Sequence, residues 1–189
     1  MSRSKLIYLT LLTLCLLGFS LSANAQRAAL SVNVGDALLF GSVGTSASYA
    51  LSRHWTLEAS GRWNPWTFHK GQDNQWQLRH QTYAVGARWW PWHVFSGWYI
   101  TTTAQYQEYS FGGLFRSETS EGDAWGASLG VGYMYMLSTR WNINFGLAGW
   151  AGVRKFNRYA CPHCGRKIES GTEGFILPNE LTLGLTYVF

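Results

Sequence analysis

Through most of this chain, apolar residues fall at every second position. The C-terminal stretch LTLGLTYVF puts Leu181, Leu183, Leu185, Tyr187 and Phe189 on one face, and Thr182, Gly184 and Thr186 on the other. Successive side chains of a strand point to opposite sides, so this is a strand with one greasy face and one small or polar face. The parity recurs upstream. Trp55, Leu57, Ala59, Gly61 and Trp63 alternate with Thr56, Glu58, Ser60 and Arg62; Trp141, Ile143, Phe145 and Leu147 alternate with Asn142, Asn144 and Gly146. Trp125, Leu129, Val131, Tyr133 and Tyr135 face away from Gly126, Ser128, Gly130 and Gly132. Tyr83 to Trp89 and Trp98 to Tyr106 supply two more such faces. Two less regular strands are expected near Leu30 to Leu39 and Val43 to Leu51, with Asp36 breaking the parity of the first at a Gly35 bulge. The pattern therefore predicts eight strands.

Their connections alternate in length. LSRHW (Leu51 to Trp55), PWHVFSGW (Pro91 to Trp98) and LSTRW (Leu137 to Trp141) are short links, whereas Asn64 to Arg79, Gly112 to Asp123 and Arg154 to Glu180 are long and polar. Short turns on one rim and long loops on the other are the habit of outer-membrane barrels. A soluble barrel places its apolar residues inside, but the face left for this interior is small and charged. The expected fold is thus all-β, an eight-stranded antiparallel transmembrane up-and-down β-barrel of the OmpA-like kind. Closure with eight strands leaves an interior that side chains fill. Glu58, Arg62, Arg88 and Arg154 share the inward parity and are expected to form a lumenal charge cluster, with Glu58 paired to one or more arginines.

The N-terminus reads as an address. Arg3 and Lys5 precede the apolar run Leu6 to Leu21, and Ala23-Asn24-Ala25 is a cleavage site, so residues 1–25 are expected to be a signal peptide and residues 26–189 the barrel domain. Without Arg3 and Lys5 the remainder carries 13 basic against 10 acidic residues, scattered, which gives no footprint for nucleic acid. With 11 Trp, 10 Tyr, 10 Phe and 21 Gly, the composition suits aromatic girdles on a membrane barrel. Tyr187 and the terminal Phe189 match the C-terminal signal read by the barrel-assembly machinery. The expected surroundings are outer-membrane lipids and lipopolysaccharide.

One segment carries chemistry of its own, Cys161-Pro162-His163-Cys164-Gly165. A thioredoxin-type pair needs a helix N-terminus within a βαβ frame, and the nearby Gly165 and Gly171 oppose a helix. A zinc ribbon needs four ligands, and only Cys161 and Cys164 remain once Cys15 leaves with the signal. A local disulfide, a metal shared between two chains and a free pair all stay open. The bridge would close a ring so small that its stabilisation falls well below the ~3 kcal/mol of a 15-residue loop. No cofactor is expected. Neither Gly-x-Ser-x-Gly nor His-Glu-x-x-His occurs, and none of the five histidines falls on the lipid face of a well-defined strand, so no catalytic residue is expected. A lipid A-modifying enzyme and a narrow gated channel are the alternatives. For contacts outside the membrane, Trp66 and Phe68 in the first long loop and Arg158, Tyr159, His163 and Arg166 in the last are the candidates.

Together, RWNPWTF, YACPHCGRKIESGT and STRWNI resemble an uncharacterised Bacteroidota family of small OmpA-like barrels whose genes often neighbour fimbrillin-type surface-fibre genes. The resemblance implies an eight-stranded outer-membrane barrel with a part in surface-fibre assembly or anchoring. It carries over no catalytic residues. The function this suggests is non-catalytic: a structural envelope barrel presenting its last loop to a fimbrial or other surface protein.

Overall fold

The computed structural model describes residues 26–70, 75–113, 118–160 and 166–189. Its elements are β1 (Ala28–Asn33), a short helix α1 (Val34–Phe40), β2 (Val43–Ala50), β3 (Trp55–Asn64), β4 (Thr67–Phe68), β5 (Trp76–Trp89), β6 (Gly97–Gly112), β7 (Thr119–Met136), β8 (Trp141–Tyr159) and β9 (Lys167–Val188). All pairings are antiparallel. β3 pairs directly with β5, the two-residue β4 lies only against the end of β5, and β1 pairs with both β2 and β9. The ring β1-β2-β3-β5-β6-β7-β8-β9 therefore closes with eight strands.

The alternation in sequence becomes an inside and an outside. Apolar residues on the outer face stay exposed, among them Leu129 at 66%, Leu147 at 63% and Val85 at 61%. Two aromatic belts bound this band. Tyr83, Tyr106 and Trp125 are direct cross-strand neighbours in the upper belt, with Trp63 beside them. Trp55 opposite Trp89, Trp98 opposite Tyr133, and Trp141 opposite Tyr187 make the lower one. At roughly 3.3 Å per residue and a tilt of about 40°, the stretch from Trp55 to Trp63 rises about 20 Å. Tyr187 meets both Trp141 and Phe189 edge-on at 4.9 Å and accepts a hydrogen bond from Arg140 Nη1 at 3.2 Å.

Three expectations need correction. The first strand stops at Asn33 instead of reaching Leu39, and Asp36 lies on a helix, not beside a bulge. Asn33 caps that helix by accepting from Gly35 N at 3.0 Å, and the helix ends in the left-handed Gly41. Second, Arg154 to Glu180 is no open loop: β8 runs on to Tyr159 and β9 starts at Lys167. Backbone pairing continues past the apolar band because charged side chains face each other across it, Arg154 opposite Glu173 and Arg158 opposite Glu169. In the same way β6 and β7 extend to Gly112 and Thr119, and β5 begins at Trp76. Third, the stretch around Pro91 is more than a link. It folds back into the barrel end, where Trp90, Val94 and Phe95 are buried.

Strand length climbs around the wall, from 6 residues in β1 through 14 in β5 to 22 in β9. The shortest and longest strands are neighbours, so the wall rises as a ramp and drops at one step. α1 stands in that step. Gly35 packs there so closely that a Cβ would lie 2.8 Å from the Leu181 carbonyl oxygen, and the Asn33 side chain accepts from Leu183 N at 3.1 Å. Among the described residues, no strand covers the outer edge of β9 above Gly184.

Candidate functional site

The lumen is built in three tiers. The lowest is an aromatic floor formed by the connection between β5 and β6. Trp90 is fully buried; its indole donates to Thr56 Oγ1 at 3.1 Å, and its ring lies 4.9 Å from Tyr99 and 6.1 Å from Phe95. The connection is tied down by Val94 N donating to Arg53 O at 3.0 Å and by Asn142 Nδ2 donating to Phe95 O at 3.0 Å. Phe95 holds a left-handed backbone, φ 63°, to turn its side chain inward. Met134 and Val188 fill the remaining floor. Tyr99 lies across Gly132, where any Cβ would overlap its ring. The hydroxyl of Tyr99 donates to Asn144 Oδ1 at 2.6 Å.

Above the floor sits the charge tier. The sequence expected one cluster of Glu58, Arg62, Arg88 and Arg154; the structure distributes these residues over three pairs. Arg88 Nη2 donates to Glu58 Oε1 at 2.6 Å, with both side chains buried. The Arg88 guanidinium also stands 4.7 Å over the Tyr99 ring. Arg62 is drawn instead to Asp36, 3.9 Å away on α1. Arg154, higher up, donates to Glu173 at 2.6 Å. The space left in this tier is about 50 Å³, lined by residues such as Ser31, Ser60, Thr101 and Asn144. Water-sized gaps of this kind do not make a pore.

The upper tier is a cavity of about 290 Å³ that sequence reasoning did not find. Trp150 meets Phe175 edge-on at 4.6 Å, and Tyr109 stacks with Phe111 at 5.3 Å. Asp36, Ser42, His80 and Gln107 supply its polar wall. Trp150 was within reach of the sequence, since it continues the inward parity of Asn142 and Asn144. Phe175 and Leu177 were not. β9 carries one extra residue, position 179, between Pro178 opposite Gly149 and Glu180 opposite Ala148, and this bulge reverses the strand's parity.

Ser42 Oγ lies 3.3 Å from His80 Nε2 in this cavity, a nucleophile beside a base. The pair lacks the rest of a hydrolytic site. Asn64 Nδ2 already donates to Ser42 Oγ at 3.2 Å, and His80 Nδ1 has no hydrogen-bond partner to orient the ring. His80 lies above the upper belt, opposite Asn64 and Tyr109. Burial, and then the charge of Arg62, pull its pKa down to about 4, too low for an effective base near neutrality.

The loop candidates are placed as follows. Trp66 Nε1 donates to Gly41 O at 2.6 Å and so pins the end of α1. Phe68 stacks on Trp76 at 4.1 Å. Both are rim anchors with exposed outer surface. Arg158 donates to Glu169 Oε2 at 2.7 Å and lies over Phe156. Tyr159 ends β8, and the backbone of Arg166 accepts from Ala160 N at 3.1 Å. Cys161, His163 and Cys164 lie outside the described residues. Among the described residues, no group of three His, Cys, Asp or Glu side chains could hold a metal ion.

A family model described as protein of unknown function (DUF3575) matches residues 10–189. Comparison with curated proteins gives no match.

Proposed function

This chain belongs to the family of unknown function DUF3575, and from its architecture we propose that it is a non-catalytic outer-membrane barrel that presents its β8–β9 hairpin to a partner outside the membrane. The observation that carries this reading is the exposed apolar band between two aromatic belts around a closed, filled barrel. An apolar belt this large and continuous is tolerated in lipid, not in water. A sheet within a bilayer must close, because no water satisfies its backbone there. Residues 1–25 then act as the signal that exports the chain, and Tyr187 and Phe189 as the assembly signal. The rim with the short links faces the periplasm, and the ramp faces outward.

The hairpin is the part best suited to a partner. It stands above the upper belt, and its two cross-strand ion pairs stiffen it. A surface-fibre subunit or another surface protein is the partner class proposed. Conduction has no comparable support, since floor and charge tier both fill the lumen. Lipid modification has none either, because Ser42 and His80 lie inside the barrel and away from lipid.

Cell fractionation tests the location: the protein should sediment with detergent-resistant outer membranes and run faster on gels unheated than boiled. Recovery among soluble periplasmic proteins sinks the proposal. Deleting residues 157–172 should leave that behaviour intact and abolish cross-linking to a surface-fibre subunit. An unchanged cross-linking pattern removes the partner role.

A further inference from the structure

Several buried polar atoms form no hydrogen bond, and four of them belong to residues that line the upper cavity: Trp150 Nε1, His80 Nδ1, Tyr109 Oη and Asp36 Oδ2, the last facing only the Arg62 guanidinium at 3.9 Å. Leaving buried donors and acceptors unmet is costly, and natural proteins rarely do so without a use. The need is two-sided. The indole N–H of Trp150 can only donate, the Asp36 oxygen accepts, and His80 Nδ1 does either according to tautomer. A ligand carrying hydroxyl groups meets all four, since each hydroxyl both gives and takes a hydrogen bond.

Charge and shape narrow the class. Each cation at the cavity already faces a carboxylate, Arg62 facing Asp36 and Arg154 facing Glu173. No surplus charge is left to hold a phosphate or a fatty-acid carboxylate. The rest of the lining is largely aromatic, with Phe175, Tyr109 and Phe111 beside Trp150 offering ring faces and edges to an apolar surface. A plain hydrocarbon would fill that wall but leave the polar atoms unmet. The volume of about 290 Å³ suits one small ring, near the lower end for ligand pockets.

We propose that the upper cavity binds a neutral, polyhydroxylated ring of monosaccharide size. Its apolar face rests on Phe175, and its hydroxyls reach Trp150 Nε1, Asp36 and His80. The ligand stops there, because the charge tier and aromatic floor lie beneath it. The site is a receptor at the open end of a closed barrel, not a stage in transport. It does not depend on partner capture by the hairpin: deleting residues 157–172 removes none of its lining residues.

The test uses the protein purified from membranes and placed in lipid nanodiscs free of glycoside detergent. D-Glucose, D-galactose and N-acetyl-D-glucosamine are the neutral probes; inorganic phosphate, sodium octanoate and cyclohexanol are the contrasting ones. At least one neutral sugar should show saturation transfer from the protein and shift the Trp150 indole N–H resonance, a readout that needs no mutation. Trp150→Phe keeps the wall and removes the donor, so sugar affinity should fall about tenfold. Ala124→Phe, which fills the cavity, should abolish binding; gel mobility before boiling confirms that each variant is folded. Silence from all three sugars at about 50 mM, which excludes even weak millimolar sites, overturns the proposal. So does stronger binding of phosphate, octanoate or cyclohexanol, or a Trp150 resonance that stays fixed while sugar binds.

Discussion

Arg88 and Glu58 meet diagonally across the β3–β5 ladder: Arg88 is paired in register with Thr56, yet its guanidinium reaches past Thr56 to the Glu58 carboxylate, with Nε 2.5 Å from Oε2. The diagonal lets one cation serve two neighbours, since the same guanidinium covers the Tyr99 ring. It also joins the charge tier to the floor.

Breaking this pair from one side should cost far more than replacing it. Arg88→Ala strands a carboxylate in the lumen and is expected to lower stability by about 3–5 kcal/mol. The double variant Arg88→Met with Glu58→Leu should lose much less. Urea unfolding in lipid vesicles, followed by tryptophan fluorescence, separates the two; equal losses would show that packing, not charge, holds the site.

The floor predicts electrical silence. Reconstituted in planar bilayers, the protein should give no resolved current steps. Trp90→Ala together with Phe95→Ala removes two aromatic side chains from the floor and should raise the rate of brief openings. Steady conduction by the unaltered protein would mean that the floor moves aside.

Gly132 is needed for the space it leaves. A methyl group there meets the Tyr99 ring, so Gly132→Ala is expected to cost about 1–3 kcal/mol by overpacking. Adding Tyr99→Leu should restore part of that loss. If the second change only adds to the first, the two positions are not coupled through this contact.

His80 gives a pH signature. Its folded pKa lies near 4, below the ordinary value of 6.5, so the folded state favours neutral imidazole. The stability it contributes is complete above about pH 6.5 and is lost as pH falls toward 4. The stability difference between His80→Gln and the native protein should therefore shift in favour of the variant over that interval. A gap that stays constant with pH would place His80 in contact with water.

Most of the fold was legible because a closed barrel with an apolar outer face and a filled lumen obeys a strict rule of two. Wherever apolar and small residues alternate, as from Trp55 to Trp63, strand and face follow directly. The rule lapses outside the band, where both faces are polar. There the extended halves of β8 and β9 look like loop, and only the spacing of Arg154 and Arg158 against Glu173 and Glu169 hints at pairing. α1 stayed hidden because VGDALLF alternates poorly and is too short for a helical period to emerge. In the lumen, inward parity brought out Glu58, Arg62 and Arg88. It could not say that Arg62 would choose Asp36, a partner supplied by a helix absent from the predicted pattern. The floor was obscured because Val94 and Phe95 occupy a connection, where alternation carries no information.

The ramped wall gives the molecule a heading. A barrel of even height looks alike from every side, whereas this one carries its highest parapet beside its lowest sill. Among the described residues the step at α1 is the low point of the wall, and anything fastened to the parapet is held off-centre. Neighbouring copies could thus be told apart by compass bearing, and a fibre or coat rooted on them would inherit that bearing.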